Sequence, residues 1–190
     1  MKTSTRKLTL SALFLALGLV LPLITGQIPQ IGKMLLPMHI PVLLCGMVCG
    51  APYGAVCGLL GPLLSSILTS MPTAALMPAM MVECAAYGLT TGMAFELPAY
   101  GAVIGLLYAK LNKRGVAGVY MALVPAMLAG RAVWGVAQTV LLGLGGNGFT
   151  MQMFIAGAFA TALPGIVLQL VLIPVVMVGL EHAGVLRDTV

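Results

Sequence analysis

Charged residues are scarce in this chain of 190 residues. They make up 7% of the sequence, whereas apolar residues make up 61%. A soluble domain needs a largely polar surface, so this composition excludes one. We therefore expect an all-α integral membrane protein in the lipid bilayer, with no nucleic acid among its partners. The length allows about six helices of roughly 20 to 30 residues, forming one membrane-embedded domain over residues 1–190.

The sequence also has few groups suited to catalysis. It contains no Gly-x-x-x-x-Gly-Lys-Ser/Thr phosphate loop, so it is not expected to hydrolyse ATP by itself. Its two histidines, His39 and His182, are predicted at opposite ends of the bundle, away from any Ser-His or Cys-His pairing. We therefore predict no catalytic residue and no cofactor. An intramembrane enzyme is the least favoured class of function.

Cysteine is limited to four positions, Cys45, Cys49, Cys57 and Cys84. Cys45 and Cys49 share a helix face at a spacing of i+4, which first suggests a metal site. No cluster of histidine or acidic ligands lies near them in the sequence. We predict small buried thiols and no metal.

Six apolar segments separated by polar or Pro/Gly-rich turns predict six helices. Their approximate ranges are Leu8–Thr25, His39–Gly50, Pro52–Ser70, Thr73 or Pro78 to Leu111, Val116–Gly143 and Thr150–Leu180. A cleaved secretion signal is the alternative for the first segment, but its length and the lack of a cleavage site favour a retained helix. The fourth segment is either two short spans or one long helix bent or broken near Gly92 or Pro98.

Basic residues favour one long fourth helix. Apart from Lys33 and Arg131, they occur at the start of the chain, in the cluster Lys110–Arg114, and at Arg187. Six spans place all of them on one side, as expected for cytoplasmic ends. We therefore predict a compact bundle of six transmembrane helices with both termini cytoplasmic. The outer loops are then Gly26–Met38, Met71–Pro78 and Leu144–Thr150.

The outer loop before the second segment is rich in Pro and Gly and is followed by a short apolar helix. It holds Lys33, and His39 lies where the helix begins. Proline restricts such a loop while the helix anchors one end, which suits a lid over a binding site. A plain connector between two spans is the equally weighted alternative.

Ionisable residues inside apolar segments are costly unless they are paired or face a polar cavity. Counted along their helices, Glu83 and Arg131 lie near one level, whereas Glu96 lies closer to the cytoplasm. Glu83 and Arg131 form either a structural ion pair or part of a ligand site. Trp134 and Gln138 follow Arg131 on the same helix face. A cation, an aromatic ring and an amide in a row suit an anionic or polar heterocycle.

Two further patterns recur along the sequence. Gly46, Gly50, Gly54 and Gly58 recur at a spacing that lets membrane helices approach closely. The pattern Glu-x-x-x-Tyr-Gly-x-x-x-Gly, which starts at Glu83, recurs from Glu96.

Several motifs together resemble the substrate-binding S components of energy-coupling factor (ECF) vitamin transporters. They are the basic start, Ala12-Leu-Phe-Leu-Ala16, Pro37-Met-His-Ile-Pro41, the turn Gly50-Ala-Pro-Tyr-Gly54, and Met71-Pro72. The resemblance covers nearly the whole chain. It implies a prokaryotic plasma-membrane protein that binds a vitamin or related micronutrient at the outer side under a lid formed by the first loop. It also implies delivery through a transmembrane coupling subunit and ATP-hydrolysing subunits, with Ala12 and Ala16 as the docking face. The doubled Glu-x-x-x-Tyr-Gly pattern departs from the family.

The sequence leaves the ligand open, although a carboxylate-bearing vitamin or precursor such as nicotinate fits Arg131, Trp134 and Lys33. The predicted substrate-binding residues are Lys33, His39, Glu83, Tyr87, Arg131, Trp134, Gln138, Asn147 and Gln152. A stand-alone secondary transporter or small channel is the alternative function, with Glu83, Glu96 and Arg131 coupling ions.

Overall fold

A computed structural model describes residues 3–24, 37–96, 116–144, 150–157 and 161–184. Within these ranges the regular structure is helical and there is no β-strand, which confirms the all-α class. The helices are α1 (Thr3–Ile24), α2 (His39–Cys49), α3 (Ala51–Thr69), α4 (Met77–Glu96), α5 (Val116–Leu144), α6 (Met151–Ile155) and α7 (Leu163–His182).

Four of the described helices are long and apolar enough to cross a membrane, namely α1, α3, α5 and α7. Their outward-facing side chains are large and apolar; Ile24, Ile67 and Val136 are each at least 66% exposed. Such surfaces suit lipid and not water. The chain is therefore a helical membrane protein, while six spans and cytoplasmic termini stay predictions.

The short helix α2 forms the centre of the bundle. All of its residues are buried, and it packs against α1, α3, α4 and α7. A helix that is apolar on every side is stable only when it is enclosed in this way. At about 16 Å in length, α2 is roughly half as long as the membrane's hydrocarbon core is thick. It is therefore a central helix against which four neighbouring helices pack.

Glycines bring α2, α3 and α4 into backbone contact. Gly50, at φ 102°, makes the turn between α2 and α3 in a conformation that other residues rarely adopt. A Cβ atom added at Gly54 would lie 2.5 Å from the Gly88 carbonyl oxygen, and one added at Gly46 would be equally close to that atom. The regular spacing of glycines in α2 and α3 therefore serves helix packing, as predicted. It also sets the register in which α2 and α4 run side by side in the same direction.

The first Glu-x-x-x-Tyr-Gly repeat is explained by two faces of α4. Gly88 and Gly92 meet the backbone of α3, at Gly54 and Ala51, whereas Glu83 and Tyr87 point toward the start of α2 and toward α5. The second repeat begins at Glu96, whose side chain, like residues 97–115, lies outside the described part of the chain.

The connection between α3 and α4 is held by serine hydroxyls. Ser65 donates to the carbonyl oxygen of Met71 at 2.7 Å, and Ser66 donates to that of Pro72 at 2.9 Å. These bonds satisfy carbonyl groups that the turn leaves without helical partners. The start of α4, and with it Glu83, is thereby fixed against the end of α3.

Three predicted helix boundaries need correction. The first helix starts at Thr3, so Arg6 and Lys7 lie within it. The helix α4 continues through Gly92 without a break, because Gly92 packs closely on Ala51. The predicted single helix Thr150–Leu180 is divided into α6 and α7 by a turn at Thr161 and Ala162. The predicted continuation of the fourth helix to Leu111 lies outside the described residues.

Candidate functional site

Glu83 is the centre of a buried polar cluster. Its Oε1 atom accepts hydrogen bonds from the Tyr87 hydroxyl at 3.2 Å and from Arg131 Nη1 at 3.1 Å. The same oxygen lies 3.6 Å from His39 Nε2. All four residues are 6% exposed or less, and they come from α2, α4 and α5. We call His39, Glu83, Tyr87 and Arg131 the polar cluster.

The pairing of Glu83 with Arg131 confirms that the two residues meet at one level. Glu83 lies about two turns into α4, roughly 9 Å from its start. Both charges are desolvated, so each depends on the other for stabilisation. The structure thus forms the ion pair that the sequence allowed, while a ligand at Arg131 is the subject of a proposal below.

His39 is the member of the cluster whose ring nitrogens make no hydrogen bond to any described residue. It is 2% exposed. Its ring contacts that of Tyr87 edge-on, with centroids 5.2 Å apart. A buried imidazole with unused donor and acceptor capacity is costly, because those groups have given up water. The predicted role of His39 in substrate binding stays a prediction.

Glycine also shapes the contact between α4 and α5. The Tyr87 ring lies directly over Gly130, where a Cβ atom would come within 2.5 Å of the ring. This leaves room for the ring beside Arg131. The tyrosine hydroxyl consequently reaches Glu83 along its own helix face, one turn away.

Trp134 and Gln138 lie further along α5, on the predicted face. Trp134 stacks on Phe154 of α6 with ring centroids 6.3 Å apart, and it packs against Gly157. Phe154 in turn packs over Gly135. Gln138 is buried. The tryptophan therefore attaches α6 to α5, and its predicted role in ligand binding stays a prediction.

The other predicted binding residues are Gln152, Lys33 and Asn147. Gln152 is exposed on α6. Lys33 and Asn147 lie in the ranges 25–36 and 145–149, outside the described residues, as does most of the predicted lid.

One buried polar residue was missed by sequence reasoning. Gln169 on α7 is 2% exposed, and its Nε2 atom has no hydrogen-bond partner. The signal was available, because a lone amide within an apolar membrane segment is itself a marker of function or helix contact.

The predicted docking residues Ala12 and Ala16 are exposed on α1, whereas Phe14 and Gly18 are buried on its other side. The four cysteines are buried and free. In the part of the chain that the structure describes, no group of three or more His, Cys, Asp or Glu side chains is placed to hold a metal ion.

Comparisons with known proteins give one match. The family model for "ECF transporter, substrate-specific component" matches residues 6–177. No curated protein and no solved structure gave a significant match. Because the family model matches most of the chain, this protein belongs to the family of substrate-specific components of ECF transporters.

Proposed function

We propose that the chain binds a vitamin-like small molecule and delivers it into the cell as the S component of an ECF-type importer. The polar cluster carries the proposal: four polar side chains from three helices converge at the start of α2 in a mainly apolar bundle. Buried polar groups in membrane proteins are retained mainly where they bind or pair. In a family defined by substrate specificity, the cluster is the best candidate for the substrate contact.

The membrane orientation is part of this proposal. With both termini cytoplasmic, the starts of α2 and α4 face outward, and the polar cluster lies roughly 9 Å below that end of α4. The segment before α2, which holds Lys33, then covers the site as a lid. In this orientation the end of α5, helix α6 and the connection between them also lie toward the outer side. These parts hold Trp134, Gln138, Asn147 and Gln152.

Energy for uptake comes from partner subunits in this proposal. The exposed face of α1 that holds Ala12 and Ala16 docks the transmembrane coupling subunit, because small residues allow close approach of a second helix. The coupling subunit links the chain to ATP-hydrolysing subunits.

Copurified ligand tests the site. We expect mass spectrometry to detect one small molecule released by denaturing the purified protein, and to find it strongly depleted in Arg131→Met. Gly179→Ala is the matched control, since nothing lies within 4 Å of a Cβ atom added at Gly179. A folded Arg131→Met protein that retains its full ligand content would remove the cluster from the binding site. His39→Gln provides a second variant that keeps the ion pair intact, and it should also lose ligand.

A further inference from the structure

The charges of the polar cluster are balanced within the described residues. Glu83 supplies one negative charge and Arg131 one positive charge, so an uncharged His39 leaves the cluster neutral. The other elements that pack against α2 add no charge at this point. Helix α3 contains no Asp, Glu, Lys, Arg or His, although it holds Tyr53 and Cys57.

Charged groups of the remaining neighbours lie elsewhere. On α1 they are Arg6 and Lys7, and Lys7 acts electrostatically on Cys49 at the far end of α2. On α7 they are Glu181 and His182 in the last turn, both outside the buried core. Among the described residues, His39 lies beside Glu83 and Tyr87, and Arg131 pairs with the same Glu83 oxygen. A buried thiol, Cys84, follows Glu83 on α4.

His39 and Arg131 both lie close to one oxygen of Glu83. Arg131 Nη1 donates to Glu83 Oε1 at 3.1 Å, and His39 Nε2 lies 3.6 Å from that same oxygen without a hydrogen bond. A movement of less than about 1 Å would bring Nε2 into hydrogen-bond range. A protonated His39 would then be a charged donor that competes with Arg131 for Glu83.

We infer that the site takes an anionic group, such as a carboxylate, together with one proton: the proton adds to His39, His39 pairs with Glu83, and Arg131 turns to the anion. This inference rests on the proposed function of the cluster as the substrate site. The charges balance, since one proton and one anion enter together and the buried site stays neutral. The proton comes from solvent and adds to the lone pair of the imidazole, and no covalent bond breaks.

Charge burial explains why the proton is needed. An anion that entered alone would leave one uncompensated negative charge among groups that are 6% exposed or less. A neutral ligand would need no proton. The proton dependence thus distinguishes an anionic substrate from a neutral one.

Nitrogen NMR of the purified full-length protein, with formate as the probe anion, tests the exchange of partners. Histidine and arginine side chains are labelled, and their signals are followed between about pH 5 and 8, where imidazoles titrate. The chain has two histidines, so His182→Gln assigns them and serves as the matched control at an exposed position. With formate present, we expect the Arg131 signals to shift with the same midpoint as the His39 signals. That shift should be absent in His39→Gln and unchanged in His182→Gln.

Formate and formamide test the class of ligand, because they have nearly the same shape and differ in charge. Formate should shift the Arg131 signals when His39 is protonated, and its affinity should fall about tenfold per pH unit above that transition, as expected for one linked proton. Formamide should not. With formate present, a His39 that stays neutral throughout the range, Arg131 signals that do not follow the protonation of His39, or equal responses to formate and formamide would each overturn the inference.

The copurified molecule separates this inference from the proposed function. If the copurified molecule is neutral and its binding requires Arg131, the S-component role stands, but the inferred binding of an anion with a proton is wrong. If the NMR signals behave as expected but an ECF module that contains the chain does not transport the copurified molecule, the proposed function alone is contradicted.

Discussion

The carboxylate of Glu83 joins three helices, because it pairs with Arg131 of α5, accepts from Tyr87 of its own helix, and lies beside His39 of α2. Removing one partner of a buried ion pair leaves the other charge unpaired and desolvated. We expect Glu83→Gln and Arg131→Met each to lower the free energy of unfolding by about 3 to 5 kcal/mol. Thermal or denaturant unfolding of the empty protein in detergent measures this.

The double variant is the control for that prediction. Glu83→Gln combined with Arg131→Met leaves no unpaired charge, so its loss of stability should be clearly smaller than the sum of the two single losses. Additive losses would show that the two residues do not stabilise each other.

The polar cluster was only partly predictable from the sequence. The depth of Glu83 and Arg131 along their helices predicts that the two meet, since helical rise fixes their levels. The approach of His39 depends on the register between α2 and α4. That register is set by backbone contacts such as the one between Gly46 and Gly88, which no single-helix pattern specifies.

At the scale of helices, the contact between α3 and α4 depends on Gly88. A Cβ atom at this position would collide with the backbone of Gly54. We expect Gly88→Ala to force the helices apart and to cost about 1 to 3 kcal/mol of stability, as overpacking does. Gly179→Ala in α7 is the matched control, because the added methyl group meets no atom within 4 Å. It should be neutral or stabilising. Equal melting temperatures for the two variants would contradict the close contact.

Trp134 tests how α6 is attached. The stacking of Trp134 on Phe154 predicts a coupling free energy of about 0.5 to 1.5 kcal/mol between Trp134→Ala and Phe154→Ala in the empty protein. A double-mutant cycle on unfolding free energies measures it. If Trp134→Ala instead leaves the unfolding free energy of the empty protein unchanged and removes only the stabilisation given by the copurified molecule, the ring contributes to ligand binding.

The exposed face of α1 is the predicted docking site for the coupling subunit. Tryptophan at both Ala12 and Ala16 should prevent close approach of a coupling subunit while leaving the copurified ligand bound. Leu13→Trp with Leu17→Trp adds similar bulk at exposed positions one residue further along, and it should still assemble. Copurification of the coupling subunit with each variant decides between the outcomes, and assembly of the Ala12 and Ala16 variant would exclude this face.

Helix ends were predictable where Gly and Pro mark them and the apolar run stops. The observed α2, α3 and α5 agree with their predicted ranges to within about two residues, as expected for helix boundaries. The division of the sixth segment was missed because apolar residues continue across it. Pro164 in the first turn of α7 was the available signal, since proline favours that position.

At the scale of the whole molecule, the described residues form a small apolar bundle around a buried helix, with a polar cluster and an exposed small-residue face. Neither feature provides energy for transport. In the proposed account the cluster selects the substrate, and the partners that dock on α1 supply the work of ATP hydrolysis. The chain alone should therefore bind but not accumulate its ligand.

Uptake by reconstituted vesicles tests this central claim most directly. The copurified molecule is supplied outside vesicles that contain the chain alone or the chain with a coupling subunit and ATPases. Our account predicts accumulation only in the second case and only when ATP is present. Accumulation by the chain alone, driven by an ion gradient, would contradict it and identify the protein as a stand-alone transporter.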